Sequence, residues 1–334
     1  MKIFITGATG FIGSHLIEIL GAAGHELYCL VRKSSAVEQL GARGVDLVFG
    51  DITDRGSLQA GMKGCDRVVN LANVYSFWEP DKRVYEEVNV RGTQNVMECA
   101  LENGIAKVVH LSSMVIYGKP EDVPFSEQSA IGPERFSAYA RSKYAGDLLA
   151  WALYEKEKLP LVVLYPGGVL GPGDEKASGR YIMDLLQRRM PATVLHNAVS
   201  TWVDVRDVSE TIVKALEKEN NSGEKYLVGK HQLSFDQLNE AISEISGVPL
   251  PGFRLADGLT ATTATLLTGL ASILKRPPVW GMASDAIRTM KEGIRADGSK
   301  VERELGISYR PIRETLEEAI AWYMDRRDGR ALRL

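Results

Sequence analysis

Residues Thr6-Gly7-Ala8-Thr9-Gly10-Phe11-Ile12-Gly13 join a short apolar run, Lys2 to Thr6, to a segment of helical periodicity, Phe11 to Ala23, that ends at Gly24. Glycines at such a junction restrict the backbone more than any other feature of this chain. Gly7 permits a tight turn out of the strand, Gly10 a close approach of another group to the backbone, and Gly13 a close approach of helix to strand. The same alternation repeats downstream. Strand-like runs recur at Glu26 to Val31, Val45 to Phe49, Arg67 to Leu71, Ala106 to Ser112 and Leu161 to Tyr165. Helical patterns lie between most of them, as in Tyr85 to Asn103 and Ala138 to Lys156. Runs that are apolar throughout are strands covered on both faces, which implies a parallel sheet. The expected fold is therefore α/β, a Rossmann-type doubly wound parallel sheet whose ligand sits beyond the carboxyl ends of its strands.

After about Gly167 the rhythm breaks. Gly171-Pro172-Gly173 is a loop, and helices then mix with short strands such as Lys225 to Val228. Thr201 to Lys218 reads as one more strand-to-helix return to the main sheet. The chain thus divides into a dinucleotide-binding domain, residues 1–166 with returns near 201–218, and a smaller C-terminal α/β substrate lobe, mainly residues 167–334.

Composition narrows the class of partner. The 334 residues are 45% hydrophobic and 25% charged with a formal net charge of -3, enough for a sizeable core and without the basic signature of a nucleic-acid binder. Cys29, Cys65 and Cys99 share no CxxC spacing and read as small buried hydrophobes in a reducing compartment. The five histidines form no metal-like pair, so no metal is expected. The N-terminal apolar run is too short for a signal peptide, and the most apolar stretch, Leu255 to Leu274, is interrupted by Asp257. A cytoplasmic enzyme with a small-molecule substrate, no membrane partner and no nucleic acid is the expectation.

The glycine loop gives that enzyme a cofactor. The following helix offers free N–H groups and a partial positive charge to a pyrophosphate, so Gly7, Thr9, Gly10, Phe11, Ile12 and Gly13 are candidate dinucleotide contacts. The end of the second strand selects the dinucleotide. An acidic residue there would bind the ribose 2′-hydroxyl of NAD, but the sequence is Val31-Arg32-Lys33-Ser34-Ser35. Arg32 supplies a planar fork for a 2′-phosphate and Lys33 a second positive charge, which favours NADP, with NAD as the alternative.

Tyr139-Ala-Arg-Ser-Lys143 opens an amphipathic helix, and residues four apart share a helix face. A neighbouring cation favours the phenolate, so Tyr139 becomes a candidate acid–base group for a carbonyl or alcohol, with Lys143 also holding the nicotinamide ribose. Val108-Val109-His110-Leu111-Ser112-Ser113 is an apolar strand ending in two hydroxyls. Ser113 is placed to donate to the same carbonyl oxygen, while Ser112 alternates to the other face.

With these three features in order, the chain resembles an extended short-chain dehydrogenase/reductase, the superfamily marked by a TGxxGxxG loop and a YxxxK pair. The resemblance runs over nearly the whole chain. It includes Gly50-Asp51-Ile52, Leu71-Ala72-Asn73, Asn89 within Val88 to Asn95, Tyr165-Pro166-Gly167-Gly168-Val169 and Val203 to Val208. It implies catalytic roles for Ser113, Tyr139 and Lys143. It also implies cofactor contacts from Asp51, Ile52, Leu71, Ala72, Asn73, Asn89, Tyr165, Pro166, Gly168 and Val169. Within the superfamily the chain is similar to the dihydroflavonol-reductase-like and 3β-hydroxysteroid-dehydrogenase-like branch. Arg32 suits net reduction, Gly167-Gly168 lacks an Asn that sugar-nucleotide members often carry there, and apolar Met114 and Val115 follow Ser113 where dehydratases usually have acidic residues. The implied function is an NADP(H)-dependent carbonyl reductase or alcohol dehydrogenase. A nucleotide-sugar epimerase or dehydratase with tightly bound NAD is the alternative, with Arg180, Arg188 and Arg189 as diphosphate ligands, and a non-catalytic NADP sensor is the remote one. Tyr75, Phe77, Trp78 and Met114 are candidate substrate contacts. Thr260 to Leu274 is read as a helix covering the cleft, an ordinary core helix or a dimer face. The resemblance also implies a homodimer, through the helices around Tyr85 to Asn103 and Tyr139 to Lys156.

Overall fold

The computed structural model describes residues 1–41 and 43–327. Seven strands form the main sheet: β1 (Lys2–Thr6), β2 (Glu26–Val31), β3 (Asp46–Phe49), β4 (Arg67–Asn70), β5 (Lys107–Leu111), β6 (Leu161–Pro166) and β9 (Lys225–Val228). All pairs are parallel and the order is β3-β2-β1-β4-β5-β6-β9, so the order in which the chain adds strands reverses between β1 and β4. That reversal opens a crevice above the carboxyl ends of β1 and β4, where ligands of open α/β sheets bind.

The continuous apolar character of the strands has the predicted cause. Ile3 and Ile5 pack on one face of the sheet with α1 (Phe11–Ala22) and α7 (Val205–Glu217). Phe4, Val68 and Val108 pack on the other with α3 (Arg55–Met62), α4 (Thr93–Glu102) and α5 (Ala138–Glu157). Each such aliphatic side chain, fully buried, contributes about 1.5–3 kcal/mol relative to exposure. The four-residue α2 (Glu38–Gly41) lies between β2 and β3. One long expected helix is compound: Tyr85–Gly92 is a π-helical turn that runs into α4.

A second sheet, order β10-β8-β7, is built from β7 (Gly168–Leu170), β8 (Val199–Asp204) and β10 (His231–Ser234). With α6 (Ala177–Leu186), α8 (Phe235–Ser246), α9 (Asp257–Leu274), α10 (Ser284–Glu292) and α12 (Ile312–Arg327) it makes the smaller lobe, around Leu185, Trp202, Leu238 and Ile320. The short α11 (Ser299–Leu305) packs back against α7 and β9.

Two expectations of strand placement are corrected. The strand in Thr201 to Lys218 does not return to the main sheet: β8 pairs parallel with β7 and antiparallel with β10. Only its helix, α7, returns, packing on α1. Lys225 to Val228, expected in the small lobe, is instead the edge strand of the main sheet, paired with β6. The physical reason is that β6 is buried over all six residues and requires a neighbour on its outer side.

Candidate active site

The glycine loop has the geometry its spacing demands. Gly7 has φ +73°, and a Cβ there would lie 2.8 Å from the backbone nitrogen of Ala72 at the end of β4. A Cβ on Gly13 would sit 2.3 Å from the Gly7 carbonyl oxygen. Thr6 ties the two strand ends together: its hydroxyl donates to Asn70 Oδ1 at 2.6 Å and accepts from the Ala72 N–H at 3.1 Å. Helix α1 begins at Gly10 with no side-chain cap and no acidic residue in its first turn. Its N–H groups are therefore free to meet an anion. Asn73 adds a buried Oδ1 that has no partner among the described residues. This cradle fits a dinucleotide pyrophosphate, with Gly7, Gly10 and Ala72 bringing backbone close enough to hold it. Phe11 packs edge-on against His15, which reaches the Pro172 carbonyl at 3.0 Å, so the β7 loop closes over the start of α1.

The remaining candidate contacts divide. Arg32 and Lys33 are exposed just beyond β2, and neither makes an ion pair among the described residues. Asp51 accepts from the backbone and hydroxyl of Thr53 at 2.9 and 2.8 Å, and Ile52 packs where Gly92 leaves room. Asn89 is committed elsewhere. It clamps Val74 through both backbone groups and donates to Ser142 Oγ at 2.9 Å, joining the β4 loop to α5. Tyr165 is core: its hydroxyl meets Trp151 Nε1 at 3.2 Å and its ring packs edge-on against Tyr117. Met114, expected to touch substrate, is likewise only 1% exposed and packed in the core beside β5.

Tyr139 and Lys143 share the buried face of α5, as four-residue spacing requires. Ser137 caps this helix by accepting from the Ala140 N–H at 3.1 Å, fixing where the first turn begins. The Ser113 hydroxyl lies beside the Tyr139 phenol and favours its ionised form. Lys143 Nζ donates to the Leu111 carbonyl at 2.9 Å, two residues before Ser113 on the same strand end. All three candidates thus converge on the carboxyl end of β5. The electrostatics differ from the sequence expectation. Burial pushes the Tyr139 hydroxyl above its ordinary value, the Tyr75 phenol adds to this, Ser113 opposes it, and Lys143 is not among the groups that shift it. Lys143 is itself pulled down to about 8 by burial, with Asp147 opposing the fall.

Asp147 went unnoticed in the sequence, although it continues the Tyr139–Lys143 spacing by four more residues. It is 1% exposed and accepts from Ser112 Oγ at 2.7 Å, with His110 Nε2 at 3.3 Å from its other oxygen. His110 Nδ1 in turn meets Asn70 Nδ2 at 3.1 Å, and Asn70 meets Thr6. A buried polar chain therefore runs from one turn below Lys143 to the glycine loop. Burial and Lys143 hold His110 below its ordinary value, keeping it neutral.

Aromatic side chains close around the phenol. Tyr75 and Phe77 lie edge-on to the Tyr139 ring at centroid distances of 5.3 and 5.9 Å, and to each other at 6.0 Å. The Tyr75 hydroxyl lies near Ser178 at the start of α6, and burial pushes it up to about 12. Trp78 contributes its backbone to this loop, donating to Ser76 Oγ at 3.2 Å. On β7, a Cβ on Gly168 would lie 2.5 Å from the Trp202 ring, which is buried in the core of the small lobe. The free cysteines are all buried, and no cluster of three or more metal-ligating side chains occurs among the described residues.

Comparison with known proteins agrees with this geometry. The profile of the NAD dependent epimerase/dehydratase family matches residues 3–229. A "Putative dihydroflavonol 4-reductase" of Synechocystis sp. is 30% identical, over 96% of this chain and 94% of its own. The "Sterol demethylase protein B" of Methylococcus capsulatus is 30% identical, over 98% of this chain and 99% of its own. The crystal structure of gox2253 superposes with a TM-score of 0.84 at 31% identity, covering 98% of this chain and 99% of that one. With its loop, its sheet order and its matched residues accounted for, this chain belongs to the NAD dependent epimerase/dehydratase family, within the extended short-chain dehydrogenase/reductases.

Proposed function

We propose that this protein is an NADP(H)-dependent carbonyl reductase or alcohol dehydrogenase acting on a weakly polar substrate. The observation that carries the reading is the edge-on packing of Tyr75 and Phe77 against the Tyr139 ring, at the strand end where Ser113 also lies. A pocket walled by rings binds an apolar body and leaves the two hydroxyls as the polar groups that fix a carbonyl oxygen. The names of the two full-length relatives, "Putative dihydroflavonol 4-reductase" and "Sterol demethylase protein B", support it. Arg32 and Lys33, exposed at the end of β2, favour the phosphorylated dinucleotide.

Tyr139 donates its proton to the substrate carbonyl oxygen in reduction, or withdraws it from the alcohol in oxidation. Ser113 donates a hydrogen bond to that oxygen and so stabilises the charge developing there. Lys143, held by the Leu111 carbonyl, brings a positive charge to the cleft beneath the phenol. The Gly7 to Gly13 loop would hold a nicotinamide dinucleotide, which when bound would supply or accept the hydride. Tyr75 and Phe77 exclude water from the exchange.

The epimerase reading calls for cations facing a sugar diphosphate. Arg188 and Arg189 line a recess of about 660 Å³ with Gln187 and Val248. That recess lies past the C-terminal end of α6, whereas Tyr75 lies near Ser178 at its start, about 15 Å away along the helix. Arg180 donates to the Glu175 carbonyl beside it at 3.1 Å. The test is NADPH oxidation at 340 nm over a panel of aromatic and alicyclic aldehydes and ketones. Turnover lost in Tyr139→Phe with NADPH affinity retained is the expected result. No turnover, together with NAD carried through purification and interconversion of nucleotide sugars, would overturn it.

A further inference from the structure

Helix α9 carries its side chains the wrong way round for a protein in water. Toward the lobe it buries Thr260, Ala264 and Ala271, all small, with half-buried Leu267 packed beside them. Toward solvent it presents Leu259, Leu266, Leu270, Ile273 and Leu274, with Leu266 71% and Ile273 79% exposed. At about 100° per residue these five fall within an arc of roughly 100°. Exposed Thr262, Thr265, Gly269 and Ser272 widen that uncharged arc to roughly 200°. The exposed apolar surface continues past the helix onto Val279 and Trp280. Trp280 is held there at φ 55°, a strained conformation for a bulky residue.

We propose that this face is a membrane-surface docking site that seats α9 and Trp280 in the interfacial layer of an anionic bilayer. Three observations select a bilayer. Between Gly258 and Ala283 the only ionisable side chains are Lys275 and Arg276, both cationic and neither ion-paired among the described residues. Flanking cations and an exposed tryptophan are what an interfacial helix uses to meet anionic headgroups. Second, the helix hydroxyls satisfy themselves. Thr262, Thr265 and Ser272 donate to the carbonyls of Gly258, Ala261 and Thr268 at 3.1, 2.9 and 2.9 Å, the arrangement that lets such groups leave water. Third, the arc is too wide for a helix–helix seam. A second copy packed antiparallel about Leu266 would set Lys275 near its Asp257, but it would cover only the stripe of roughly 100°. No described helix is long and apolar enough to cross the bilayer, so the contact is peripheral. The sequence expectation of no membrane partner rested on the lack of a spanning segment, which does not bear on a helix lying in the interface.

Through its opposite side, α9 is also linked to the active centre. Thr268 on α9 accepts from the Ser284 N–H at 2.8 Å, and Asp285 of the next turn accepts from the Ala138 N–H at 2.7 Å, one residue before Tyr139. The proposal goes beyond the reductase reading and does not depend on it.

The test is flotation of the full-length protein with phosphatidylcholine vesicles containing one-quarter phosphatidylglycerol, beside pure phosphatidylcholine and no vesicles. The protein is expected to float with the anionic vesicles, and less as salt is raised. Leu266→Glu and Ile273→Glu each weaken binding at least about tenfold, and Lys275→Gln and Arg276→Gln about fivefold each. All four side chains are exposed, so unchanged circular dichroism confirms that the variants are folded. Retention of wild type in the dense fraction overturns the proposal, as does flotation that survives both glutamate substitutions. A concentration-dependent dimer that Leu266→Glu splits, without vesicle binding, assigns the face to a second copy instead.

Discussion

Replacing Asp147 by Asn tests the electrostatics beneath the active centre, because it removes one charge and keeps the shape. Lys143 sits at about 8, against 10.5 for a free lysine, with Asp147 the group that keeps it from falling further. A lysine held below its unfolded value binds fewer protons in the native state over that interval, so stability rises with pH between about 8 and 10.5. At pH 7 the wild-type ammonium is mostly charged. If loss of Asp147 takes Lys143 below 7, the lysine sheds its proton, and the cost saturates at the one unit separating 8 from 7. That is about 1.4 kcal/mol, or about 2 °C in midpoint for a chain of this length. At pH 9 the wild-type lysine is already mostly neutral, and the cost falls to roughly a tenth of a kcal/mol. Urea unfolding of both proteins at pH 7 and pH 9 measures the difference. Equal losses at the two pH values would mean that Asp147 acts through its contacts with Ser112 and His110 and not through the charge of Lys143. No loss at pH 7 would mean that Lys143 does not depend on it.

Arg32→Ser is expected to weaken NADPH binding by roughly 10- to 100-fold, the worth of a charge-assisted pair, and to leave NADH binding unchanged; isothermal titration with both dinucleotides checks it. Gly13→Ala puts a methyl within 2.3 Å of the Gly7 carbonyl, so α1 must retreat from the loop, and dinucleotide binding should be lost while circular dichroism still reports a folded α/β protein. Because Lys143 is charged below about 8 and neutral above it, kcat/KM should fall on the alkaline side with a limb near that value, read from a pH–rate profile of the free enzyme.

What could be read in the sequence follows from range. The glycine loop and the Tyr139–Lys143 pair are local patterns, set by a turn and by helical periodicity, and both are where they were expected. Strand order is non-local. Four-residue strands such as Lys225–Val228 carry no mark of which sheet will pair with them, and this one was assigned to the wrong lobe. Period-two reasoning also fails where every residue of a strand is buried. In β6 no alternation indicated that Tyr165 would turn to Trp151 in the core, and Met114 lies beyond the strand in a short 3-10 turn. Asp147 was legible in principle, since a third member at helical spacing behind a tyrosine and lysine lies on their face. The exposure of α9 was not, because its leucines and threonines fit a core helix as well as an interfacial one. Only the small residues at Thr260, Ala264 and Ala271, seen packed inward, decide its orientation.

The late position of β9 also shapes how the chain is made. Its partner β6 ends at Pro166, and the edge it completes is not supplied until Val228. About sixty residues of small-lobe chain emerge in between, which at ribosomal speed takes roughly 3–12 s. Throughout that interval a fully apolar strand stands without its neighbour, open to wrong pairing with another nascent chain. Production of this protein should therefore be limited by chaperone supply at the six-strand stage rather than by the stability of the finished fold, and a truncation after Pro166 would make that vulnerable species permanent.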